Sequence, residues 1–549
     1  MRKILFIFSL IGFTSAAAFA QTVQDAFRIS ENDYEGTARS VAMGNAVTAL
    51  GGDLGSVNIN PAAAVVAPYS QITLTPGLTI GVSKAQGVSQ FSDGDLPYFQ
   101  REMRSTRTRF AIPNIGFSIN FDTGRTRGVK NIAVGLTVNS TNNWNESIYA
   151  GGTNTRTSYL GDMAFGANGY LSSELISDDA FNIVPWKAAI GYNLGMISTY
   201  GGYNDQYVGA TEVPMSDGSI SFGDGTLKQT LGIIRSGQKH DYVVNVGMNV
   251  SDVVYIGANL GITSVSYSYS DFFKEAASSR GEFGMSIIDG EGNEIPMYFN
   301  KMTYRTSYDI SGSGIYGKIG IIAKPVAGLR LGAAIQTPAI NYLSETFQES
   351  GEVSFTGEGG YDANETSPMG RNRYTLSSPF RANLGAAYTI GKLGLVSVDY
   401  EVCNYGQMRY RAAEYDDDLA NINSLISQSY ATSHMFRAGL EYKPVDFMAV
   451  RAGYGFTTSP ETALRNEKFS VKARQNVALG LGFSTSGSFF VDLAVKYTLP
   501  ERTYIKPYGD YVGTFDSEGN FIPDSNYLSP LVGNIQHNVK VLLTCGWRF

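Results

Sequence analysis

The sequence predicts an all-β fold, a 14-stranded antiparallel transmembrane β-barrel with an N-terminal hatch inside its lumen. Apolar residues recur at every second position over long stretches from about residue 71 onward, as in strands with two chemically different faces. The first 20 residues have the pattern of a secretory signal. Only 17% of the 549 residues are charged, and no apolar stretch after residue 20 is long enough for a transmembrane helix.

Residues 1–20 are expected to be a signal peptide. Arg2 and Lys3 give a positive start, residues 4–13 form an apolar core too short to span a bilayer, and Ala18-Phe19-Ala20 fits the small-residue cleavage pattern. The mature chain is therefore expected to begin at Gln21 and to be exported.

The alternation gives each strand one apolar face and one polar or small-residue face. In one such stretch Val244, Val246 and Met248 alternate with Asn245 and Asn249. A transmembrane barrel requires this arrangement, because alternate side chains face the lipid and the lumen. The alternative is a soluble β-sandwich, whose apolar face would point to a core. The number and length of the strands, together with the secretion signal, favour the barrel.

The number of strands can be tested by parity, because bacterial barrels have an even number of strands, with short periplasmic turns and long outer connections. The alternation predicts strands near residues 71–83, 109–121, 130–143, 240–250, 253–270, 304–323, 328–338, 373–390, 393–410, 433–443, 447–457, 472–484, 487–500 and 534–549. Short and long connections alternate between them, which gives 14 strands in a barrel domain of residues 71–549. The longest outer connection is expected at residues 144–239, where the apolar segment 181–198 would form a cap or an amphipathic helix.

The hatch is predicted from the size of the lumen. Fourteen strands about 4.8 Å apart and tilted by about 40° enclose a cylinder roughly 28 Å across, which wall side chains alone do not fill. Residues 21–70 precede the first strand and lack its alternation. Asn60 and Pro61 favour a fixed turn there, because Pro fixes φ and Asn can bind its own backbone. The alternative is a loop-rich periplasmic extension.

The N-terminal segment resembles the hatch of the FadL family of outer-membrane transporters for hydrophobic compounds. The resemblance covers residues 34–46 and 49–53 and the motif Asn60-Pro61-Ala62, although Ala63 stands where the family often has Gly. It extends over the mature chain, and residues 331–338 look like the family's mid-barrel strand that ends in Thr-Pro. The resemblance implies passive uptake of long-chain fatty acids or similar molecules. Outer loops would capture the ligand, a pocket above the hatch would hold it, and it would leave sideways into the bilayer through a break in an early strand.

Three residues are candidates for that lateral opening. Pro76 and Pro113 lie in the first and second predicted strands and each removes a backbone donor, while Gly135 in the third strand leaves a gap in side-chain cover. We expect an opening along these strands beside Asn60-Pro61-Ala62. The alternative is that both prolines lie at strand ends or bulges without a role in transport.

The candidate ligand-binding residues lie in the longest outer connection. Trp186, Ile190 and Leu194 are four residues apart, so a helix would align them on one face, and exposed apolar surface often marks a binding site. The alternative is internal packing of this long connection.

The last predicted strand alternates up to the final residue and carries Trp547 and Phe549 on its apolar face. A terminal strand that ends in Phe resembles the signal read by the barrel assembly machinery. We therefore expect that machinery as a partner during biogenesis.

The composition argues against other functions. A net charge of −7 lacks the basic footprint of a nucleic-acid binder, and three His and two Cys show no spacing for a metal site. No catalytic residue, metal or cofactor is predicted.

The expected partners are a hydrophobic ligand, outer-membrane lipid and lipopolysaccharide, and the expected state is a monomer in the bacterial outer membrane. Two alternatives stay open: a FadL-like docking or shuttle protein of a secretion system, and a polar-solute porin.

Overall fold

The computed structural model describes residues 22–90, 98–215, 220–288, 291–412, 419–462, 473–485 and 488–549. The predicted signal peptide, residues 1–20, lies outside these ranges. Within them, no helix combines the length and the apolar character needed to span a membrane.

Fourteen long strands form the wall of the protein. Three of them are interrupted once and continue beyond the interruption. The strands are β1 Gln71–Gly87, β2 Met103–Asp122, β3 Val129–Asn154, β4 Leu227–Val250, β5 Val254–Ala277, β6 Glu294–Val326, β7 Leu329–Gln336 and Ile340–Gly357, β8 Gly370–Ser377 and Arg381–Ile390, β9 Gly394–Asn404 and Arg409–Ala412, β10 Thr432–Val445, β11 Met448–Thr457, β12 Arg474–Ser484, β13 Phe489–Ile505 and β14 Val532–Arg548.

Each strand pairs antiparallel with the next one along the chain. The last strand pairs with the first, from Gln71 opposite Arg548 to Gly87 opposite Val532, so the sheet has no free edge. Connections at one end are short, such as residues 251–253 between β4 and β5, while those at the other end are long. The predicted closed barrel of 14 antiparallel strands is confirmed.

The apolar residues of the strands face outward. In β4, Val244 and Val246 are 44% and 47% exposed, whereas Asn245 between them is fully buried. Exposed apolar residues recur on the outer face around the barrel, for example Leu384 in β8 and Leu479 in β12. A soluble protein would bury these side chains, so the outer surface is suited to lipid. The barrel is transmembrane and fits a bacterial outer membrane.

The strands extend further toward the long connections than the alternation predicts. β3 continues to Asn154 and β4 begins at Leu227, so the connection predicted at 144–239 is residues 155–226, and β7 continues through residues 340–357, where no strand was predicted. Outward-facing Ser266, Ser268 and Ser270 show the reason in β5. A strand that has left the bilayer no longer needs an apolar outer face, and the two-residue period fades.

Short helices lie outside the strands. The N-terminal segment contains α1 Val23–Ser30, α2 Ala38–Ala42, α3 Leu54–Val57 and a 3₁₀ helix over Pro61–Val65. The connection 155–226 contains α4 Tyr159–Ala167, α5 Ser172–Leu175, α6 Ala180–Ile183 and α7 Trp186–Asn193, and α8 Leu419–Ser429 follows β9. Short two-stranded hairpins complete the connections, Ile197–Thr199 with Tyr207–Gly209, Glu212–Pro214 with Ile220–Phe222, and Gly513–Phe515 with Phe521–Pro523. Strands Gly284–Ile288 and Asp362–Thr366 pair with the outer ends of β6 and β7.

Candidate functional site

Residues 22–70 lie against the inward-facing side chains of the barrel. The hydroxyl of Thr48 donates to Asp399 of β9 at 2.7 Å, and the backbone N–H of Ala38 donates to Thr544 of β14 at 2.7 Å. On another side, Lys239 of β4 donates to the carbonyl of Ile29 at 2.7 Å. The N-terminal segment thus contacts lumen-facing residues on several strands of the barrel.

A ring of inward-facing glycines receives this segment. One glycine in each of eight strands comes so close to the segment that a Cβ atom there would contact it. The ring consists of Gly247 in β4, Gly257 in β5, Gly320 in β6, Gly332 in β7, Gly385 in β8, Gly439 in β10, Gly453 in β11 and Gly480 in β12. At Gly453 a Cβ would overlap the backbone N of Gly44, and at Gly257 it would overlap the carbonyl of Pro61. The N-terminal segment therefore packs so closely against the wall that these positions leave no room for a side chain.

Gly453→Leu is expected to prevent the segment from seating, because the new side chain would occupy the space of Gly44. Overpacking of this kind costs about 1–3 kcal/mol. We expect increased ion conductance of the variant in planar bilayers and a lower urea midpoint. Gly317→Ala is the matched control, since a Cβ at that outward-facing position would meet only Thr337, at 3.9 Å. Equal conductance of the two variants would contradict the fit described here.

The motif Asn60-Pro61-Ala62 is held on the side of β4 to β7. The Asn60 side chain accepts from the backbone N–H of Ala62 at 3.0 Å and caps the 3₁₀ helix, while its amide donates to the carbonyl of Thr48 at 2.7 Å. Asn245 of β4 donates to the carbonyl of Pro61 at 2.9 Å. The motif fixes the turn as predicted from its residue types, but it faces β4 to β7 rather than the first three strands.

Buried ion pairs line the lumen around the segment. Glu401 of β9 accepts from Arg381 and Arg437, both at 2.9 Å, and Arg381 also donates to the carbonyl of Ser30 at 2.5 Å. A second group joins Arg39 of α2 to Glu441, which also accepts from Arg451 at 2.7 Å. In a third group, Asp33 accepts from Lys496 and Lys540, at 2.5 and 2.7 Å, and Glu35 pairs with Lys540. Charged contacts thus attach the segment to several strands.

The wall is incomplete between β2 and β3. Their backbone pairing runs from Asp122 opposite Asn131 to Asn114 opposite Asn139 and stops there. The chain meets β3 again at an isolated bridge between Arg101 and Gly151. We call the intervening part, residues 102–113 and 140–150, the seam. All its residues lie within the described range 98–215, and no register of backbone pairs joins its two sides.

At the seam the N-terminal segment replaces β2 as the partner of β3. The backbone N–H of Glu35 donates to the carbonyl of Ser140 at 2.8 Å, and that of Asp33 donates to Thr141 at 2.7 Å. The pairing of β3 with β4 shifts register between Ser140 and Asn142. β3 therefore leaves the wall and turns toward the lumen at this level.

Side chains bridge the seam in place of a backbone ladder. Asn145 of β3 donates to the carbonyl of Arg107 at 3.0 Å, and Ser105 donates to the carbonyl of Ser147. Arg109 of β2 donates to the carbonyl of Gly237 and, at 2.8 Å, to the side chain of Gln238 in β4. Side-chain bridges can exchange by rotamer changes, whereas a ladder must break cooperatively. The two sides of the seam are thus joined by side chains rather than by a backbone ladder.

Two of the predicted opening residues adjoin the seam. Pro76 and Pro113 meet at one bulge, because the register of β1 with β2 shifts between Thr75 and Gly77. Pro113 directly precedes the last paired residue, Asn114. Gly135 pairs opposite Ser118, within the intact ladder, so it does not contribute to the seam. The seam is not beside Asn60-Pro61-Ala62, because the segment contacts it through Glu31, Asp33 and Glu35.

The lumen beside the seam is lined by aromatic residues. Phe27 of α1 stacks on Tyr430 with ring centroids 5.0 Å apart and contacts Tyr405 edge-on at 4.9 Å. Trp144, whose carbonyl lies on the seam, contacts Tyr267 edge-on at 5.1 Å. We call this group, with Tyr308, Tyr374 and Tyr410, the aromatic cluster. The aromatic cluster therefore reaches the seam through Trp144, and Arg28 of α1 lies over the Tyr267 ring at 4.8 Å.

The long connections form an apolar cap over the outer end. Trp186 stacks on Phe347 of β7 at 4.7 Å, and its indole donates to the carbonyl of Phe181 at 2.6 Å. Ile190 and Leu194 are buried against Gly351 of β7. The predicted helix exists as α7 and brings the three candidate ligand-binding residues to one face. That face packs on the inner side of the barrel wall at Phe347 and Gly351.

Two connections are joined at the cap by buried polar groups. The backbone N–H of Ser158 donates to the hydroxyl of Tyr511 at 2.8 Å, and that of Gly509 donates to Asp162 at 3.0 Å. The Glu212 carboxylate accepts from Gly209 at 3.2 Å beside Tyr511. Burial raises the pKa of Glu212 to about 7, and the neighbouring carboxylates Glu275 and Asp162 act in the same direction.

The cap is therefore expected to loosen as the pH rises. A carboxyl group whose pKa is higher in the folded state than in the unfolded chain binds its proton preferentially when folded, so stability falls as pH rises from about 4.5 to about 7. We expect faster proteolysis of the connection 155–226 at pH 8 than at pH 5.5, measured with a protease active at both. Glu212→Gln should weaken this dependence; an unchanged pH profile would contradict the assignment.

The terminal strand places its two aromatic residues outward. Trp547 and Phe549 are 51% and 70% exposed, and the Trp547 ring lies 6.1 Å from that of Phe489 in β13. Phe549 exchanges two backbone hydrogen bonds, each 3.0 Å, with Ser70 before β1. The last residue thus lies where the barrel closes.

Several solved structures are similar to the chain over 94% of its length. The P. putida toluene transporter TodX is 12% identical, is covered over 99% of its chain and has a TM-score of 0.47. A Pseudomonas aeruginosa FadL homologue is 12% identical, with 98% covered and a TM-score of 0.48. The CymD monoaromatic hydrocarbon channel is 9% identical, with 97% covered and a TM-score of 0.43. No protein-family model matches the chain, and no curated protein matches it.

Proposed function

We propose that this chain is a FadL-like outer-membrane channel for passive uptake of hydrophobic small molecules, with long-chain fatty acids as one candidate class. The observation that carries the proposal is the position of the seam. The aromatic cluster reaches it from inside through Trp144, and exposed Phe110 and Ile112 of β2 flank it outside.

The N-terminal segment acts as the hatch in this proposal. Its contacts with β4, β9, β10 and β14 and the ring of glycines around it support this role. A lumen filled in this way disfavours a polar-solute porin, whose lumen is filled with water.

The proposed route avoids water at each step. A hydrophobic solute gains roughly 25 cal/mol for each Å² of apolar surface that stays out of water, so a direct passage from the aromatic cluster to lipid is favoured over release into the periplasm. The ligand enters through the apolar cap, contacts the aromatic cluster and leaves between β2 and β3. The cap residues Trp186, Ile190 and Leu194 shape the entrance by packing rather than by direct contact.

The remaining partners follow from the outer-membrane location. Trp547 and Phe549 are proposed as the signal for the barrel assembly machinery, which is supported by their exposure on the closing strand. Lipid and lipopolysaccharide surround the apolar belt, and the barrel acts as a monomer.

Proteoliposome uptake tests the proposal. We expect the purified protein to accelerate entry of a radiolabelled long-chain fatty acid, or of toluene, without accelerating entry of sucrose. Mass spectrometry of co-purified apolar compounds then identifies the ligand. Uptake of both hydrophobic probes at the rate of protein-free liposomes would contradict the proposed function.

A further inference from the structure

A second irregularity of the wall lies in β7, β8 and β9. All three strands are interrupted at one level, at residues 337–339, at residues 378–380 and at the 3₁₀ helix Tyr405–Gln407. Pro338 and Pro379 lie in the first two interruptions and remove backbone donors. Pairing resumes on both sides, with Ile340 opposite Ser377 and Gln336 opposite Arg381. The three interruptions therefore offset the wall at one level. We call this offset, at residues 337–339, 378–380 and 405–407, the ledge.

The ledge contains a cavity of about 470 Å³. Its lining includes the apolar side chains of Leu260, Ile315, Pro338 and Ile340, together with Thr375 and Arg411. Leu260, Ile315 and Ile340 are between 43% and 50% exposed and belong to the lipid-facing surface. This cavity is thus open toward the membrane and has a polar upper rim.

Three arginines stand on the same outer face above the cavity. Arg371, Arg373 and Thr375 alternate along β8, and Thr375 pairs opposite Arg411 of β9. Residues two apart on one strand face lie about 7 Å from each other, and diagonal neighbours across strands lie about 7–8 Å apart. All three guanidinium groups are exposed and, within the described part of the chain, form no ion pair. Arg411 thus lies at the rim of the cavity with Arg373 diagonal to it, and Arg371 lies two residues further along β8.

We propose that this ledge binds an outer-leaflet lipid that carries phosphate, with an acyl chain in the cavity and the phosphate at Arg373 and Arg411. Guanidinium groups bind phosphate by paired, charge-assisted hydrogen bonds, and clusters of basic residues beside a membrane attract anionic headgroups. A soluble anion would use the arginines but not the apolar cavity below them. The apolar cavity lies on the lipid-facing surface, and the arginines lie above it. The acyl chain and the phosphate of a membrane lipid follow the same order.

The binding step is tested by native mass spectrometry of the full chain titrated with diphosphoryl lipid A or with its dephosphorylated form. In Arg373→Gln/Arg411→Gln we expect affinity for the phosphorylated lipid to fall about 30-fold, because each basic residue near a membrane contributes about fivefold to headgroup attraction. Affinity for the dephosphorylated lipid should not change. Arg280→Gln/Arg502→Gln removes the same charge from exposed positions after β5 and in β13, both outside the seam, and should bind both lipids as the wild type does.

A second variant tests the cavity. Gly317 lines it, and a Cβ there would meet only Thr337, at 3.9 Å, so Gly317→Leu should fill the cavity without disturbing the wall. We expect it to weaken both lipid forms equally. The proposal is overturned if the double arginine variant binds the phosphorylated lipid like the wild type, if the control variant loses as much affinity, or if Gly317→Leu has no effect. The site depends on the outer-membrane location but not on the transport route, so uptake measured in the same variants separates the two proposals.

Discussion

Joining the two sides of the seam will abolish uptake of hydrophobic solutes. Ser105 of β2 donates to the carbonyl of Ser147 in β3 across the seam, so cysteines at these two positions lie within reach of a short thiol cross-linker. The native Cys403 and Cys545 are both unpaired and should first be replaced by Ala. We expect uptake by Ser105→Cys/Ser147→Cys to fall to the level of protein-free liposomes after cross-linking, because the wall can no longer separate there.

Two controls make this result specific. Reduction of a cleavable cross-linker should restore uptake in the same sample. A second pair, Val495→Cys/Val541→Cys, lies in intact pairing between β13 and β14 and should transport normally when it is cross-linked. Undiminished uptake through a fully cross-linked seam would show that the ligand leaves by another route.

Neutralising Glu401 is expected to cause the largest loss of stability. Its carboxylate is 2% exposed and accepts from both Arg381 and Arg437, and Asn383 donates to it at 2.9 Å. In Glu401→Gln two buried guanidinium groups lose their shared counter-charge, and breaking a buried ion pair in this way costs about 3–5 kcal/mol. The urea midpoint of the barrel, measured by gel mobility of folded and unfolded forms, should fall accordingly.

The control is an acid that is paired at the surface. Glu352 is 59% exposed and lies 3.9 Å from Arg305, and an exposed pair contributes about 0–1 kcal/mol. Glu352→Gln should therefore shift the midpoint little. If both variants unfold at the same urea concentration, the ion pairs of the lumen do not stabilise the contact between wall and N-terminal segment.

The barrel could be predicted because lipid and lumen impose opposite chemistry on alternate residues. Val244, Asn245 and Val246 already show which side faces lipid, and the parity of the connections gives the strand number. The outer halves of β3 to β7 could not be predicted in this way. Both of their faces meet polar surroundings or the cap, so residues 340–357 carry no regular signal.

The seam could be predicted only in part. Pro113 lies in β2 directly before the end of its ladder with β3, whereas Pro76 lies in β1, whose pairing with β2 continues beyond the bulge. Gly135 was a weaker sign, since a glycine within a ladder still donates and accepts. The ending of the ladder depends on Asp33 and Glu35 taking the place of β2 beside β3, a contact between distant parts of the chain that local pattern does not contain. The pairing of Glu401 with Arg381 and Arg437 is hidden for the same reason.

The glycine ring shows a similar limit. Each of its members, such as Gly257 or Gly453, looks like any other small residue on a lumen-facing position. These glycines matter because residues 42–66 pass close to eight strands. This proximity can be seen only when the positions of both the wall and the N-terminal segment are known.

Sugar permeability of the wild-type protein is the most direct test of the central claim, that the N-terminal segment fills the barrel and leaves the wall as the only exit. Proteoliposomes are diluted into an isotonic sugar solution and their swelling is followed by light scattering, with Gly453→Leu as the variant expected to leak. The account predicts that wild-type liposomes swell no faster than protein-free ones. Rapid swelling with the wild type would reveal a continuous aqueous path through the lumen and would contradict it.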